Sequence, residues 1–202
     1  MDSSKLIYLN PTSISKQLCD EIIHLYESQS TQYHGITAGG LNKNIKDTMD
    51  FVIPIEEPWI KIREFLGSEL KRNLKMYMDQ LNSNNFENEN SSRNFKFFED
   101  TLCTTDSFMI QRYIKQVGRY IYHNDFSINY NEKKYRIITF LWYLNTVEEG
   151  GETELWGTQR IKPEAGKLLL FPACWTMPHT GKMPISDNKY IITGWLYTPI
   201  TV

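Results

Sequence analysis

Cysteine is scarce in this chain. Cys19, Cys103 and Cys174 are odd in number and far apart, and no CxxC pair occurs, so neither a disulfide framework nor a structural zinc site is indicated. Long apolar runs are lacking as well. Nothing approaches the ~18 consecutive apolar residues of a membrane span, and the first residues lack the apolar core of a secretory signal. A reducing, cytoplasmic setting and no membrane partner are therefore expected. There is no excess of either charge: the formal net charge is −2, which excludes non-specific attraction to nucleic acid or acidic lipid. Histidine is also rare, with four in the chain, so the place of each one carries information.

What is present is ordinary for a soluble globular protein. The 202 residues are 41% hydrophobic and 23% charged, which suits one domain with a sizeable core. The expected organisation is a single domain over 1–202, with supporting helices and loops in 1–106 and a β core in 107–202. Residues 13–28 read as an amphipathic helix, with Leu18, Ile22, Leu25 and Tyr26 at helical spacing and Ser13 or Ser15 as its cap. A second helix runs from about Pro58 to Leu81. Its stripe of Trp59, Ile62, Leu66, Leu70, Leu74, Tyr77 and Leu81 is expected to pack on something flat. The polar, glycine-containing stretch 30–50 between them is either a mobile lid or a plain connector. Residues 82–94 carry six asparagines and read as surface loop.

From residue 107 the period changes to that of strands. Stretches 107–115, 119–125, 135–145, 159–162, 167–171 and 189–198 are rich in Ile, Tyr, Phe, Thr and Trp, and glycines and prolines punctuate them. Leu168-Leu169-Leu170-Phe171 is apolar without alternation, as in a strand covered on both faces. The expected class is α+β but mainly β: a sandwich or barrel with helices laid on one sheet.

One stretch carries chemistry. In Tyr122-His123-Asn124-Asp125, the imidazole of His123 and the carboxylate of Asp125 are two residues apart, which on a strand puts both on one face. Alone, a His-x-Asp arises by chance in about one such chain in five or six. His179, falling between two expected strands, adds a second imidazole, and Lys189 follows ten positions later. Two histidines and a carboxylate with open positions form the ligand set of non-haem Fe(II) oxygenases. Lys189, Ile191, Thr193, Trp195 and Tyr197 share a strand face, and a lysine facing inward there needs an anionic partner.

Residues 107–198 resemble the catalytic domain of the Fe(II)/2-oxoglutarate-dependent dioxygenases, in the prolyl 4-hydroxylase-like branch. The resemblance rests on Gln111-Arg112-Tyr113, Tyr120-Ile121-Tyr122-His123-Asn124-Asp125, the stretch from Tyr143 through Gly150-Gly151-Glu152-Thr153, Ile161-Lys162-Pro163 with Gly166, Leu170-Phe171, His179, Lys189 and Trp195. It implies a double-stranded β-helix (a jelly-roll of the cupin kind) with N-terminal supporting helices packed on one sheet. It also implies one Fe(II) held by His123, Asp125 and His179. 2-Oxoglutarate and dioxygen would be cosubstrates, succinate and carbon dioxide co-products, and ascorbate a reductant. Lys189 would pair with the distal carboxylate of 2-oxoglutarate, with Tyr113, Tyr143 and Thr193 contacting the same cosubstrate. Tyr120, Arg136 and Trp195 would line the site where a C–H bond of a peptidyl proline is hydroxylated.

Two features depart from that pattern. The Arg-Thr-Ser element of peptidyl-prolyl hydroxylases has only Lys46-Asp47-Thr48 to answer it, and the stretch before His179 is short. Strict alternation also puts Arg136, seven residues before Tyr143, on the face opposite Tyr143. A free amino acid or other small molecule therefore remains an alternative substrate, and a catalytically silent binding jelly-roll a second alternative. The oligomeric state is left open.

Overall fold

The computed structural model describes residues 3–83, 104–105 and 107–200. After a 3-10 turn, Ser3–Leu6, come β1 (Tyr8–Asn10), α1 (Lys16–Glu27), β2 (Tyr33–His34), β3 (Lys46–Asp47), β4 (Met49–Val52) and α2 (Trp59–Ser83). The remaining strands are β5 (Thr104–Thr105), β6 (Met109–Tyr113), β7 (Arg119–His123), β8 (Ile128–Asn129), β9 (Lys134–Tyr143), β10 (Thr153–Leu155), β11 (Gln159–Ile161), β12 (Leu168–Pro172), β13 (His179–Gly181) and β14 (Lys189–Pro199). The helices begin as the sequence suggests. Ser15, not Ser13, caps α1 by accepting from the Leu18 N–H, and α2 starts directly after Pro58. The loop expected at 82–94 lies, beyond the end of α2, outside the described residues.

The strands form two antiparallel sheets. The larger runs β1-β12-β9-β14-β6-β4-β2, with β8 on β9 and β5 on β14; the smaller runs β11-β10-β13-β7-β3. The half of the chain that patterning gives to helices and loops thus also supplies β1 to β5. Those strands are two to four residues long, too short for an alternating pattern to show.

Alternation along the central strands makes two cores. Phe140 and Trp142 of β9, with Leu168 and Leu170 of β12 and Ile192 of β14, face the helices and meet Ile22, Tyr26, Trp59, Leu66 and Leu70. Leu141, Tyr143, Leu169, Phe171 and Ile191 point the other way, into the space between the sheets. This is why the run of residues 168–171 has no polar member: both its faces are covered. Each such fully buried side chain contributes about 1.5–3 kcal/mol. The helices therefore lie on one sheet and leave the inter-sheet space to the site. Among the described residues, no helix is long and apolar enough to cross a membrane.

Candidate metal centre

β7 and β13 are neighbours in the smaller sheet, and their register sets His123 directly opposite His179. His179 is therefore the first residue of a short strand, where the sequence suggested a position between strands; three residues are too few for their period to be read. Asp125 lies just past the end of β7 and turns back toward both rings. Its carboxylate oxygens stand 3.6 Å from His123 Nε2 and 3.5 Å from His179 Nε2, and one ligand atom from each of the three lies within 4.8 Å of the others.

The tautomers are set by the backbone. His123 Nδ1 lies 2.8 Å from the Ile121 carbonyl oxygen and His179 Nδ1 3.1 Å from that of Met177. A carbonyl can only accept, so Nδ1 carries the proton in each ring and both Nε2 lone pairs face Asp125. Burial, and then the nearby His179, push His123 down to about 4. Burial pushes the Asp125 carboxyl up, but the two imidazoles and the hydroxyl of Thr139 (2.7 Å) outweigh it and hold it below the usual carboxylate range. The result is two imidazole Nε2 atoms and one carboxylate converging on a point, with both Nδ1 atoms turned away to backbone carbonyls, the donor arrangement a divalent cation needs. This donor set fits iron, and the remaining positions are open toward a cavity.

That cavity, of about 440 Å³, lies between the sheets. Nine of the ten residues singled out from the sequence line it: Tyr113, Tyr120, His123, Asp125, Arg136, His179, Lys189, Thr193 and Trp195. Tyr143 does not. Its hydroxyl is buried behind Thr153 and donates to the Thr153 hydroxyl at 2.7 Å, so Thr153, two residues past Gly151, is the member that meets the cavity.

Arg136 reaches the cavity despite the alternation rule. Leu196 pairs with Ile138 but Tyr197 pairs with Arg136, so Ile137 is an extra residue in β9. Such a bulge moves everything before it to the other face. The guanidinium lies 3.5 Å over the Trp195 ring, a stacking worth roughly 0.5–2 kcal/mol. It also donates weakly to the Tyr197 hydroxyl and the Asp125 carbonyl oxygen, at 3.4 and 3.5 Å. Nearby, the Tyr120 ring stacks on His123, with centroids 3.5 Å apart.

Lys189 lies deeper. It is 1% exposed, donates to the Gly151 carbonyl oxygen at 2.9 Å, and sits 4.0 Å over the Tyr113 ring. Gly150 and Gly151 both have φ near +75° (74° and 75°), a conformation that L side chains rarely adopt, and this turn aims the Gly151 carbonyl inward. No carboxylate among the described residues forms an ion pair with Lys189. Burial pushes its ammonium down to about 7, and only the more distant charge of Glu152 opposes this. A buried cation with one neutral acceptor, in a cavity that opens on a metal-ligand cluster, is a seat for an anion.

Known proteins share the stretch that carries these residues. Residues 108–197 match the model of the 2OG-Fe(II) oxygenase superfamily. This stretch is a 2OG-Fe(II) oxygenase domain. The family implies Fe(II), 2-oxoglutarate and dioxygen. Among solved structures, the chain is similar to a prolyl hydroxylase from Trichoplax adhaerens in complex with a hypoxia inducible factor oxygen degradation domain peptide fragment. The two are 20% identical, with a TM-score of 0.69 over 96% of this chain and 84% of that one. It is also similar to the viral collagen prolyl hydroxylase of Paramecium Bursaria Chlorella virus-1 (17% identical, TM-score 0.61, 96% of each chain). A third similar structure is a Pseudomonas putida prolyl-4-hydroxylase (14% identical, TM-score 0.65, 95% of this chain and 92% of that one). At these identities the likeness establishes the double-stranded β-helix of the prolyl hydroxylases as the fold of the oxygenase domain. No curated protein sequence matches the chain significantly.

Sequence reasoning missed Thr153 as a cavity residue, and also an ion pair. Lys46 and Asp50, both buried, line the cavity from the stretch read as lid or connector, with Nζ and Oδ2 2.6 Å apart. Burial raises the Asp50 carboxyl, an effect that Lys46, Thr48 and Gln111 only partly offset. Lys46 stands out in the sequence only as part of the stretch that answers the Arg-Thr-Ser element; a period of two cannot be seen in a two-residue strand, so its inward face is not legible there.

Proposed function

We propose that the protein hydroxylates an unactivated C–H bond of a peptidyl proline, with His123, Asp125 and His179 holding Fe(II) and Lys189 neutralising the distal carboxylate of 2-oxoglutarate. The observation that carries this reading is the placement in the same cavity of a three-donor His/Asp/His cluster and a buried lysine that has no ion-pair partner among the described residues. Bound there, iron supplies the oxidative decarboxylation of 2-oxoglutarate to succinate and carbon dioxide, with insertion of one oxygen atom into the substrate.

The chain's own residues do the rest. The backbone carbonyls of Ile121 and Met177 hold the two histidines in the ligating tautomer. Thr139 orients Asp125. Thr153, backed by the Tyr143 hydroxyl, and Thr193, whose hydroxyl donates to the Phe140 carbonyl oxygen, flank the seat of Lys189. Tyr113, Leu141 and Ile191 exclude water from it. Arg136, flattened on Trp195, and Tyr120, stacked on His123, offer donors and an aromatic wall at the mouth, and these suit a proline ring with its neighbouring carbonyls. A peptide is favoured over a free amino acid because the mouth is open and apolar residues line it, including Tyr33, Ile36 and Phe126, each more than a third exposed. The prolyl hydroxylase with a bound peptide adds the same direction.

The test is a mass-spectrometric search of a proline-containing peptide library for products heavier by one oxygen, with succinate formed in equal amount and only when Fe(II) and 2-oxoglutarate are present. Oxidation of free amino acids but of no peptide would overturn the substrate class; no succinate under any condition would overturn the activity. Thr139→Val keeps volume but removes the bond to Asp125. It is expected to weaken Mn(II) binding about 10- to 100-fold, measured by titration. Unchanged affinity would mean that the chain after β7 orients Asp125 unaided.

A further inference from the structure

β7 carries one residue more than its neighbour can match. His123 pairs with His179 and Tyr120 with Gly181, so three steps along β7 face two along β13. The surplus is taken up at Ile121 and Tyr122, a bulge that lets Tyr120 and His123 both line the cavity. Two carbonyls there serve side chains. That of Tyr120 accepts the Thr180 hydroxyl at 2.6 Å, and that of Ile121 accepts from His123 Nδ1 at 2.8 Å. In a regular strand the carbonyls lie in the plane of the sheet and the side chains stand roughly perpendicular to it. The bulge is what brings the Ile121 carbonyl within reach of the His123 ring. Met177, which does the same for His179, precedes β13 and lies outside any strand.

On the outer face of the sheet the bulge is tied down. Tyr122 reaches across β13 to β10, two strands away, where its hydroxyl donates to Glu154 Oε1 at 2.6 Å. Glu154 is 3% exposed and pairs with Thr180, the residue after His179. Its second oxygen accepts from Arg160 Nε at 2.6 Å, and Lys182 Nζ lies 3.1 Å from the first. The Tyr122 hydroxyl comes first among the influences that hold the Glu154 carboxyl down to about 2, so the acceptor is a carboxylate at any working pH. The side chain of Tyr122 is thus a strap from β7 to β10, laid over the strand that begins with His179. Burial does not demand it, because Tyr122 is 45% exposed and water would satisfy its hydroxyl.

We propose that Tyr122 is a positioning residue for the metal centre: anchored on Glu154, it holds the β7 bulge in the form that turns the Ile121 carbonyl to His123 and aims the ring at the metal. This rests on the reading of His123 and His179 as ligands. The strap acts on one histidine and not the other. His123 depends on a carbonyl inside the bulge. The segment that holds His179 has bonds of its own: the Met177 N–H to the Cys174 carbonyl at 3.1 Å, and the side chain and backbone N–H groups of Trp156 to the carbonyls of Thr176 and Pro178 at 2.9 and 3.0 Å. Loss of the strap therefore loosens His123 and leaves His179 as it is.

The test compares wild type with three variants. Tyr122→Phe keeps the ring and removes only the hydroxyl, Glu154→Gln keeps an acceptor for that hydroxyl, and Arg160→Met strips the same carboxylate of a different partner. The first readout needs no metal: the nitrogen NMR shifts of the histidine rings at about pH 8, above the ordinary imidazole pKa of ~6.5. Wild type should show the Nδ1–H form at both His123 and His179, and Tyr122→Phe should mix in the Nε2–H form at His123 alone. The second readout is Mn(II) affinity by titration. It is expected to fall about 3- to 10-fold in Tyr122→Phe, less than the ~10- to 100-fold of a group bonded directly to a ligand. Glu154→Gln should lie closer to wild type, and Arg160→Met should match wild type in both readouts. An unchanged His123 tautomer in Tyr122→Phe, an unchanged affinity, or an equal loss in Arg160→Met would each overturn the positioning role and leave the metal reading standing. Wild-type Mn(II) binding that His123→Ala leaves intact would overturn the metal reading, and this inference with it.

Discussion

Lys189→Met is expected to stabilise the cosubstrate-free protein while nearly abolishing its affinity for 2-oxoglutarate. Both effects have one cause. The ammonium is 1% exposed and hydrogen-bonds only the Gly151 carbonyl among the described residues, so folding removes it from water without supplying a counter-charge. Methionine fills similar volume without that cost, and the gain is on the order of 1–4 kcal/mol near or below pH 7. The sign of the pH dependence follows. Burial depresses the folded pKa to about 7, below the ordinary 10.5 of the unfolded chain. Between these values the unfolded state holds a proton that the native state lacks, so wild-type stability rises with pH through that window and the full cost is felt below it. Urea denaturation at about pH 6 and about pH 9 should show this rise in wild type and not in the variant. For binding, truncating one partner of a buried charge pair costs roughly 2–5 kcal/mol, or about 30- to several-thousand-fold in affinity. Above neutral pH the wild type should also take up a proton when 2-oxoglutarate binds, because the carboxylate restores the ammonium. Calorimetry in buffers of different ionisation enthalpy measures that proton. A variant that binds 2-oxoglutarate as tightly as wild type would rule Lys189 out as its counter-ion.

The second large effect is on the metal. With Mn(II) or Fe(II) at about one hundred times its Kd, the native state should gain about 2.7 kcal/mol, which raises the midpoint of thermal unfolding by about 5–10 °C. Alanine at His123, Asp125 or His179 should each erase the shift and stop succinate formation. Acid should do the same to wild type. Protons compete for the imidazoles, but His123 is depressed to about 4, so its contribution to metal affinity should persist well below the pH at which a free imidazole is lost. A full thermal shift in the Asp125→Ala and His179→Ala proteins would mean that the metal is held elsewhere.

Both predictions depend on residues that are readable along the chain to different degrees. Lys189 could be assigned to an inward face because β14 is eleven residues long and its period is visible from Lys189 to Trp195. Arg136 could not, although β9 is ten residues long. The extra residue at Ile137 is apolar like its neighbours, and only the pairing with β14 shows that it is a bulge. Tyr143 has the opposite history. It lies on the inward face as its period requires, but Thr153 from the neighbouring sheet stands between it and the cavity.

By itself, the sequence determined the class of fold, the two buried faces of β12, the packing of both helices on one sheet, and the common face of Lys189, Thr193 and Trp195. Those properties follow from local periods of two and 3.6 sustained over several residues. It also contained His123 and Asp125 at a spacing that suits one metal. Only the tertiary structure decided that His179 pairs across from His123, that a bulge turns Arg136 inward, and that Lys46 and Asp50 close the wall of the cavity. Each of those depends on the register between strands far apart in the chain, or on strands of two or three residues, and a pattern that short has no period to read.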